Sequence, residues 1–247
     1  SSSTAMNAVA SSSTAMNAVA SSSTAMNAVA SSSTAMNAVA SSSTAMNAVA
    51  SSQIGVNTII NNSGFLNIVI SSSTAMSAIA GSSTAMSAIA GSSTAMSAIA
   101  GSSTAMSAIA GKPVAISSII KSTMACSKID SKIQSYRSTL VNSLNNASYF
   151  TKTTEISTNS NGNGTTLDRT LYTGNKIIIP TQFRDKGSGA NTITLYSSST
   201  NIQIYNTTIT QTTVSITSGV ALRGVRELHG TYYPSENEIT YDVYTAR

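Results

Sequence analysis

The sequence predicts an elongated fibrous homotrimer: a decapeptide-repeat stalk of short α-helices, a coiled-coil-like joint, and a small antiparallel β-sandwich head. Three observations carry this expectation. The decad "SSSTAMNAVA" occurs five times without change over residues 1 to 50 and continues in altered form to about residue 130. No Asp, Glu, Lys, Arg or His precedes Lys112. Beyond residue 165 the apolar spacing changes from three and four to strict alternation. The expected boundaries are 1–120 for the stalk, 121–150 for the joint, 151–164 for a linker and 165–247 for the head.

Low-complexity disorder is the first alternative for a perfect repeat, and composition argues against it. Disordered segments are poor in apolar residues and rich in charge or proline, whereas each decad carries Ala, Met, Ala, Val and Ala with no charge. Large apolar residues return at positions six and nine of the block: Met6 and Val9, Met76 and Ile79, Ile116 and Ile119. Within one copy, Ala5, Met6, Val9 and Ala10 are separated by three and four residues, which puts them on one face of a short helix. Ser2 and Ser3 are candidate N-caps before Thr4. In the second array position one becomes Gly (Gly81, Gly91, Gly101, Gly111), where a left-handed closing residue is expected. Pro113 falls near a first helical turn, where its missing N–H costs little.

A continuous helix fits the decad poorly. Ten residues at about 100° each fall roughly 80° short of three full turns, so the apolar stripe would spiral around a regular helix. Helices of about two turns, broken at Ser or Gly, are therefore expected, and such helices need neighbours to be stable. Those neighbours are either equivalent copies in other chains, the reading preferred here, or the next repeat of a solenoid. A β-solenoid stalk is the alternative fold, kept open by the β-branched copies "SSQIGVNTII" and "NNSGFLNIVI". Met and Ala in the consensus count against it. Fully extended helix over 150 residues would reach about 225 Å. Because the chain opens inside its own repeat, a preceding segment is expected.

In "CSKIDSKIQSYRSTLVNSL", Cys126, Ile129, Ile133, Tyr136 and Leu140 recur at three and four, a short coiled-coil seam that would set chain number as a trimer joint. The plainer reading is one amphipathic helix packed on the head. Further on, Ile193 and Leu195, Ile202 and Ile204, Val214 and Ile216, and Ile239, Tyr241 and Val243 alternate as strand faces. Turn signals such as "KGSGAN" separate them at the short intervals of sandwiches and jelly rolls.

Candidate chemistry is sparse, and neither a cofactor nor a metal is expected. His229 is the only histidine and has no metal-spaced companion. Glu236 and Glu238 could form a glycosidase carboxylate pair, but "SENE" reads more simply as a solvated turn. Gly187 and Gly189 lack the strand and helix that frame a phosphate loop. Tyr232 and Tyr233 offer flat apolar faces with polar handles for a sugar or protein surface, or else pack in a turn. Cys126 alone excludes a disulfide within the chain. The 13 basic and 8 acidic residues form no basic stripe over the array, which argues against a nucleic-acid partner. No run of eighteen apolar residues exists, so no membrane span is expected.

The serine-, alanine- and methionine-bearing copies "SSTAMSAIA" resemble decads in tail-fibre and side-fibre proteins of bacteriophages. The resemblance covers roughly residues 1 to 120. It implies a non-enzymatic virion appendage, a homotrimeric stalk with a β-rich tip that meets other virion proteins and a host polysaccharide or protein. A bacterial cell-surface adhesin or extracellular filament subunit would use the same stalk logic. A polysaccharide-degrading fibre and an ice-binding array built on Thr4, Thr14 and Thr24 are the remaining classes.

Overall fold

The structure is a computed structural model and describes residues 2–161, 167–187, 189–231 and 235–247. The chain divides into two units, Ser1–Ile129 and Asp130–Arg247.

The first unit is a succession of two-turn helices, one per decad: α1 Ser2–Ser11, α2 Ser13–Ala20, α3 Ser23–Ala30, α4 Ser33–Ser41, α5 Ser43–Ser51, α6 Gln53–Asn61 and α7 Ser63–Ser71. It continues with α8 Ser73–Gly81, α9 Ser83–Ala90, α10 Ser93–Gly101, α11 Ser103–Ala110, α12 Pro113–Ile120 and α13 Thr123–Ile133. Position two of each block supplies the break. At Ser42 the backbone is extended, with φ −103° and ψ 118°, and the Ser42 hydroxyl accepts from the Ala45 N–H. Ser satisfies an otherwise orphaned helix donor here, and the extended residue resets the helix direction. Between α7 and α8 the chain bends by 98°.

Each break also corrects the 80° phase error, so the apolar face of every helix turns to the same side. Each helix packs on its neighbour and on the helix three decads away, from α1 on α4 through α9 on α12. Three decads therefore make one coil of an α-solenoid. The β-solenoid alternative is overturned, because each decad closes helical hydrogen bonds and leaves only one residue extended.

The inside of the coil is built from positions five, six, nine and ten. Met16, Met26, Met46, Met76 and Met86 are fully buried, as are Val39, Val49 and Ile79. The Met and Val face, expected to meet other chains, is thus covered by the chain's own helices. Burying one such side chain contributes about 1.5–3 kcal/mol, and Met suits the site because its flexible thioether fills irregular gaps.

Glycine at position one does not close the helix in the left-handed region. Gly91 has φ −85° and Gly111 φ −83°, right-handed like Ser21 at φ −88° in the same position. The chain passes straight into the extended cap of the next helix, so a left-handed closing residue has no place there. Gly81 and Gly101 would accept a Cβ with nothing within 4 Å.

The second unit pairs a short helical segment with two antiparallel sheets. Its strands are β1 Phe150–Asn161, β2 Leu167–Leu171, β3 Lys176–Asp185, β4 Asn191–Ser197, β5 Gln203–Ile209, β6 Thr213–Ser215, β7 Ala221–Leu222, β8 Val225–Thr231 and β9 Ser235–Ala246. One sheet runs β1-β9-β3-β6 with β7 also on β3, and the other runs β2-β8-β4-β5. Ile178, Phe183, Ile193, Leu195, Ile239 and Val243 belong to the apolar core of this sandwich.

The predicted alternation holds for Ile193 and Leu195 and for Ile239, Tyr241 and Val243, all buried. The expected linker differs: Phe150–Asn161 is a twelve-residue strand paired along its length with β9. Its Thr-rich sequence, with Ile156 60% exposed, carries no buried alternation, and pairing with β9 rather than hydrophobic pattern makes it a strand. Residues 162–164 of that linker, and 165–166 of the expected head, lie outside the described residues.

Candidate functional site

Two constructions stand out above packing, one in each unit. In the solenoid it is the hydroxyl at position two. The Ser42 Oγ donates to the Ala10 carbonyl at 2.6 Å, Ser72 Oγ to Ala40 at 2.8 Å, Ser82 Oγ to Ala50 at 2.6 Å and Ser102 Oγ to Ile70 at 2.7 Å. Ser52 makes the same bond to Ala20. Asn62 replaces the hydroxyl with an amide: its Nδ2 donates to the Ala30 carbonyl at 3.0 Å while its Oδ1 accepts from Phe65 N–H at 2.8 Å. One side chain thereby caps its own helix and ties it to a helix end one coil earlier, where a carbonyl would otherwise lack a partner. The sequence showed the cap but not the tie, because the partner lies 32 residues away.

Between stacked helices run shallow open grooves. The one between α3 and α6 has a volume of about 500 Å³ and is lined by Asn27, Ser31, Ile54, Asn57, Thr58 and Asn61, among others. The equivalent groove between α5 and α8, of about 400 Å³, presents Ser77, Ala78 and Gly81 instead.

In the sandwich the construction is a buried carboxylate that joins the two sheets. Glu227 of β8 is fully buried. Its Oε1 accepts from Tyr241 Oη at 2.5 Å, and its Oε2 accepts from Arg169 Nε at 2.9 Å and Ser157 Oγ at 3.0 Å. His229 Nε2 lies 3.2 Å from the same oxygen. Ser157 and Tyr241 come from one sheet, Arg169 and His229 from the other. Burial alone would raise the Glu227 pKa. Hydrogen bonds from His229 and Tyr241, with the nearby Arg169 charge, outweigh it and hold the carboxyl below its ordinary value. Tyr241 is pushed well above its ordinary value by burial and by the Glu227 charge. A fully buried carboxylate with four committed neighbours acts as a structural clamp. His229 is therefore a mid-strand, buried partner of Glu227.

The remaining sequence candidates fall as follows. Met76, Ile79, Ile116 and Ile119 are buried in the solenoid, and Met6 and Val9 of the first coil are half-buried. Cys126, Ile129, Ile133 and Leu140 are buried within the single chain, and Tyr136 is half-buried. The seam they were expected to form is interrupted by a 3-10 turn at Gln134–Tyr136, before α14 Arg137–Leu144. The turn lets polar groups dock on sandwich backbone. Gln134 Nε2 donates to the Val220 carbonyl at 2.8 Å and its Oε1 accepts from Val220 N–H at 2.8 Å. Arg137 donates to the carbonyls of Gly219, Pro180 and Ile216 at 3.1–3.4 Å. The plainer reading, a helical segment packed on the head, accounts for Ile133 and Leu140.

Glu238 is in strand β9 rather than a turn, bridged to Lys186 and 3.7 Å from Arg184. Glu236 belongs to the same strand. Gly187 N–H donates to Asp185 Oδ1 at 2.9 Å in the loop joining β3 to β4, an organised crossover between sheets rather than a phosphate cradle. Tyr232 and Tyr233 lie outside the described residues. Among the described residues no group of three or more His, Cys, Asp or Glu could hold a metal, and no single helix is long and apolar enough to cross a membrane.

No protein-family model matches the chain, and no curated protein matches it.

Proposed function

We propose that the chain is a non-enzymatic structural module of a bacteriophage virion appendage, a tail or side fibre, in which the solenoid is a stalk and the sandwich serves host attachment or docking to the particle. The observation that supports a structural role is the repeated tie from position two to the coil before it. In six decads, those with Ser42, Ser52, Asn62, Ser72, Ser82 and Ser102 at position two, one side chain supplies both the cap and the link to the coil before, so an added decad can bring its own cap, core face and link. Adjacent packed helices lie about 8–10 Å apart, so each coil of three decads extends the stalk by about that distance. The solenoid exchanges the reach of an extended helix for a thicker, internally bonded rod.

The Met and Val face, which does not need three chains to cover it, is buried in cis. The stalk proposed here is therefore self-supporting as one chain. Light scattering decides the point: a mass near 25.2 kDa supports it, and three times that mass restores the homotrimer.

The functional reading is tested by labelling particles from the source culture with antibody against the sandwich unit and viewing them by electron microscopy. Label on a tail or collar appendage is the expected result. Label on cell surfaces, with none on particles, would overturn the virion assignment in favour of an adhesin or extracellular filament.

A further inference from the structure

We infer that the groove between α3 and α6 is a binding site for a neutral oligosaccharide. The site lies in the solenoid and does not rest on the fibre reading, since a chain of any cellular origin would carry it.

The first observation is where the repeat departs from itself. Against the consensus "SSSTAMNAVA", the sixth and seventh decads replace Thr by Ile54, Ala by Thr58, Ser by Asn61 and Ser by Asn62. These four departures line one and the same groove, facing the unaltered Ser23, Asn27, Ala30 and Ser31 of the coil before. Of the other departures, Gly55, Phe65 and Leu66 are buried where Ala and Met stand elsewhere, a Cβ on Gly64 would lie 3.3 Å from Asn62 Oδ1, and Ile68 lines the smaller α4/α7 groove of about 410 Å³ with Asn37 and Asn67. Asn62 is explained as the amide version of the inter-coil tie. Nothing in the fold asks for Ile54, which is 38% exposed, or for Asn61, which is exposed.

The second observation is the chemistry those residues collect. Asn27, Asn57 and Asn61 bring amide groups that donate and accept at once. Gln53 Nε2 donates to Asn57 Oδ1 at 2.8 Å, which orients the Asn57 amide. Ile54 adds an aliphatic surface. Paired amides beside an aliphatic patch match a pyranose ring, which offers adjacent hydroxyls on its edge and C–H groups on its face. Charged ligands fit badly, because no ionisable side chain precedes Lys112 and an ion brought into the groove would meet no counter-charge. A nucleic acid lacks the cationic contacts that dominate its affinity.

The test uses the full chain and an uncharged panel of maltohexaose, mannohexaose and chitohexaose, with a heparin hexasaccharide as the anionic comparison, followed by titration calorimetry. The decisive variant restores the consensus at three groove-lining positions, Ile54→Thr, Thr58→Ala and Asn61→Ser. Each restored residue already stands at the same position of α3 and α5, so circular dichroism at 222 nm is expected to be unchanged. At least one uncharged oligosaccharide is expected to bind with Kd near or below about 1 mM, and the triple variant to weaken it about tenfold or more. A Ser77→Ala change in the α5/α8 groove is expected to leave it within about twofold. The inference is overturned if no uncharged probe binds, if only heparin binds, or if the triple variant binds as tightly as the parent chain.

Discussion

Ser42 and Ala10 are joined across one full coil: the Ser42 hydroxyl donates to the Ala10 carbonyl at 2.6 Å while it accepts from the Ala45 N–H at 3.2 Å. A single oxygen thus serves both local helix initiation and long-range stacking. Ser51, one position earlier in its block, spends its hydroxyl on the Asn47 carbonyl of its own helix at 2.8 Å. Replacing Ser42 or Ser72 by Ala removes the cap, worth about 0.5–2 kcal/mol, and leaves a carbonyl one coil away without its donor. A loss of about 1–3 kcal/mol is expected, against less than about 0.5 kcal/mol for Ser51→Ala. Urea unfolding followed at 222 nm measures both, and equal effects would contradict the double role.

Gly55 and Gly81 predict opposite outcomes for the same substitution. A Cβ on Gly55 would lie 2.7 Å from the Val49 carbonyl oxygen, whereas one on Gly81 meets nothing within 4 Å. Gly55→Ala restores the consensus residue yet is expected to cost about 1–3 kcal/mol through overpacking. Gly81→Ala is expected to stabilise by about 0.4–1 kcal/mol, because the helix loses less backbone entropy on folding. Thermal unfolding of the two variants separates them by the sign of the Tm change.

Glu227 ties sandwich stability to pH. Its folded pKa is depressed below 4.5, so the stabilisation it provides is fully present above that value and is lost as pH falls through the folded pKa. All nine tyrosines follow residue 135, so tyrosine fluorescence reports the second unit and not the solenoid. The expected result is a sandwich whose urea midpoint falls below about pH 4.5, and a Glu227→Gln variant that is less stable at pH 7 with a weaker acid dependence. An unchanged acid slope in the variant would place the pH sensitivity elsewhere, for instance at the exposed Asp168, which Arg226 also holds below its ordinary value.

Arg137 binds three backbone carbonyls of the sandwich from the helical segment. Hydrogen bonds from charged donors contribute about 1.5–3 kcal/mol, and Arg137→Met is expected to destabilise the tyrosine-reported transition by about that amount. Arg137→Lys is not expected to restore it, since an ammonium cannot reproduce the planar fork.

Helix, break and core face were legible in the decad because they are local. Position two as a cap, and positions five, six, nine and ten as one face, follow from helical geometry within ten residues. The partner of that face was not legible, since a stripe of Ala, Met and Val suits a second chain and a neighbouring coil equally well. Strand β1 was hidden for a related reason: "TKTTEIST" has no apolar alternation, and its strand conformation comes from pairing with β9. The Glu227 cluster was hidden because Ser157, Arg169, Glu227, His229 and Tyr241 are scattered over 85 positions and only sheet register gathers them.

By itself the sequence determined short capped helices repeated every ten residues, an uncharged surface over the repeat, and an alternating β-rich end. Tertiary structure decided that three decads make one coil, that position two ties coil to coil, and that a buried carboxylate clamps two sheets. Helix starts and apolar faces are set by interactions within one or two turns of chain. Coil closure and sheet pairing depend on which distant backbone carbonyl or strand edge meets a given side chain, and a linear pattern does not encode that meeting.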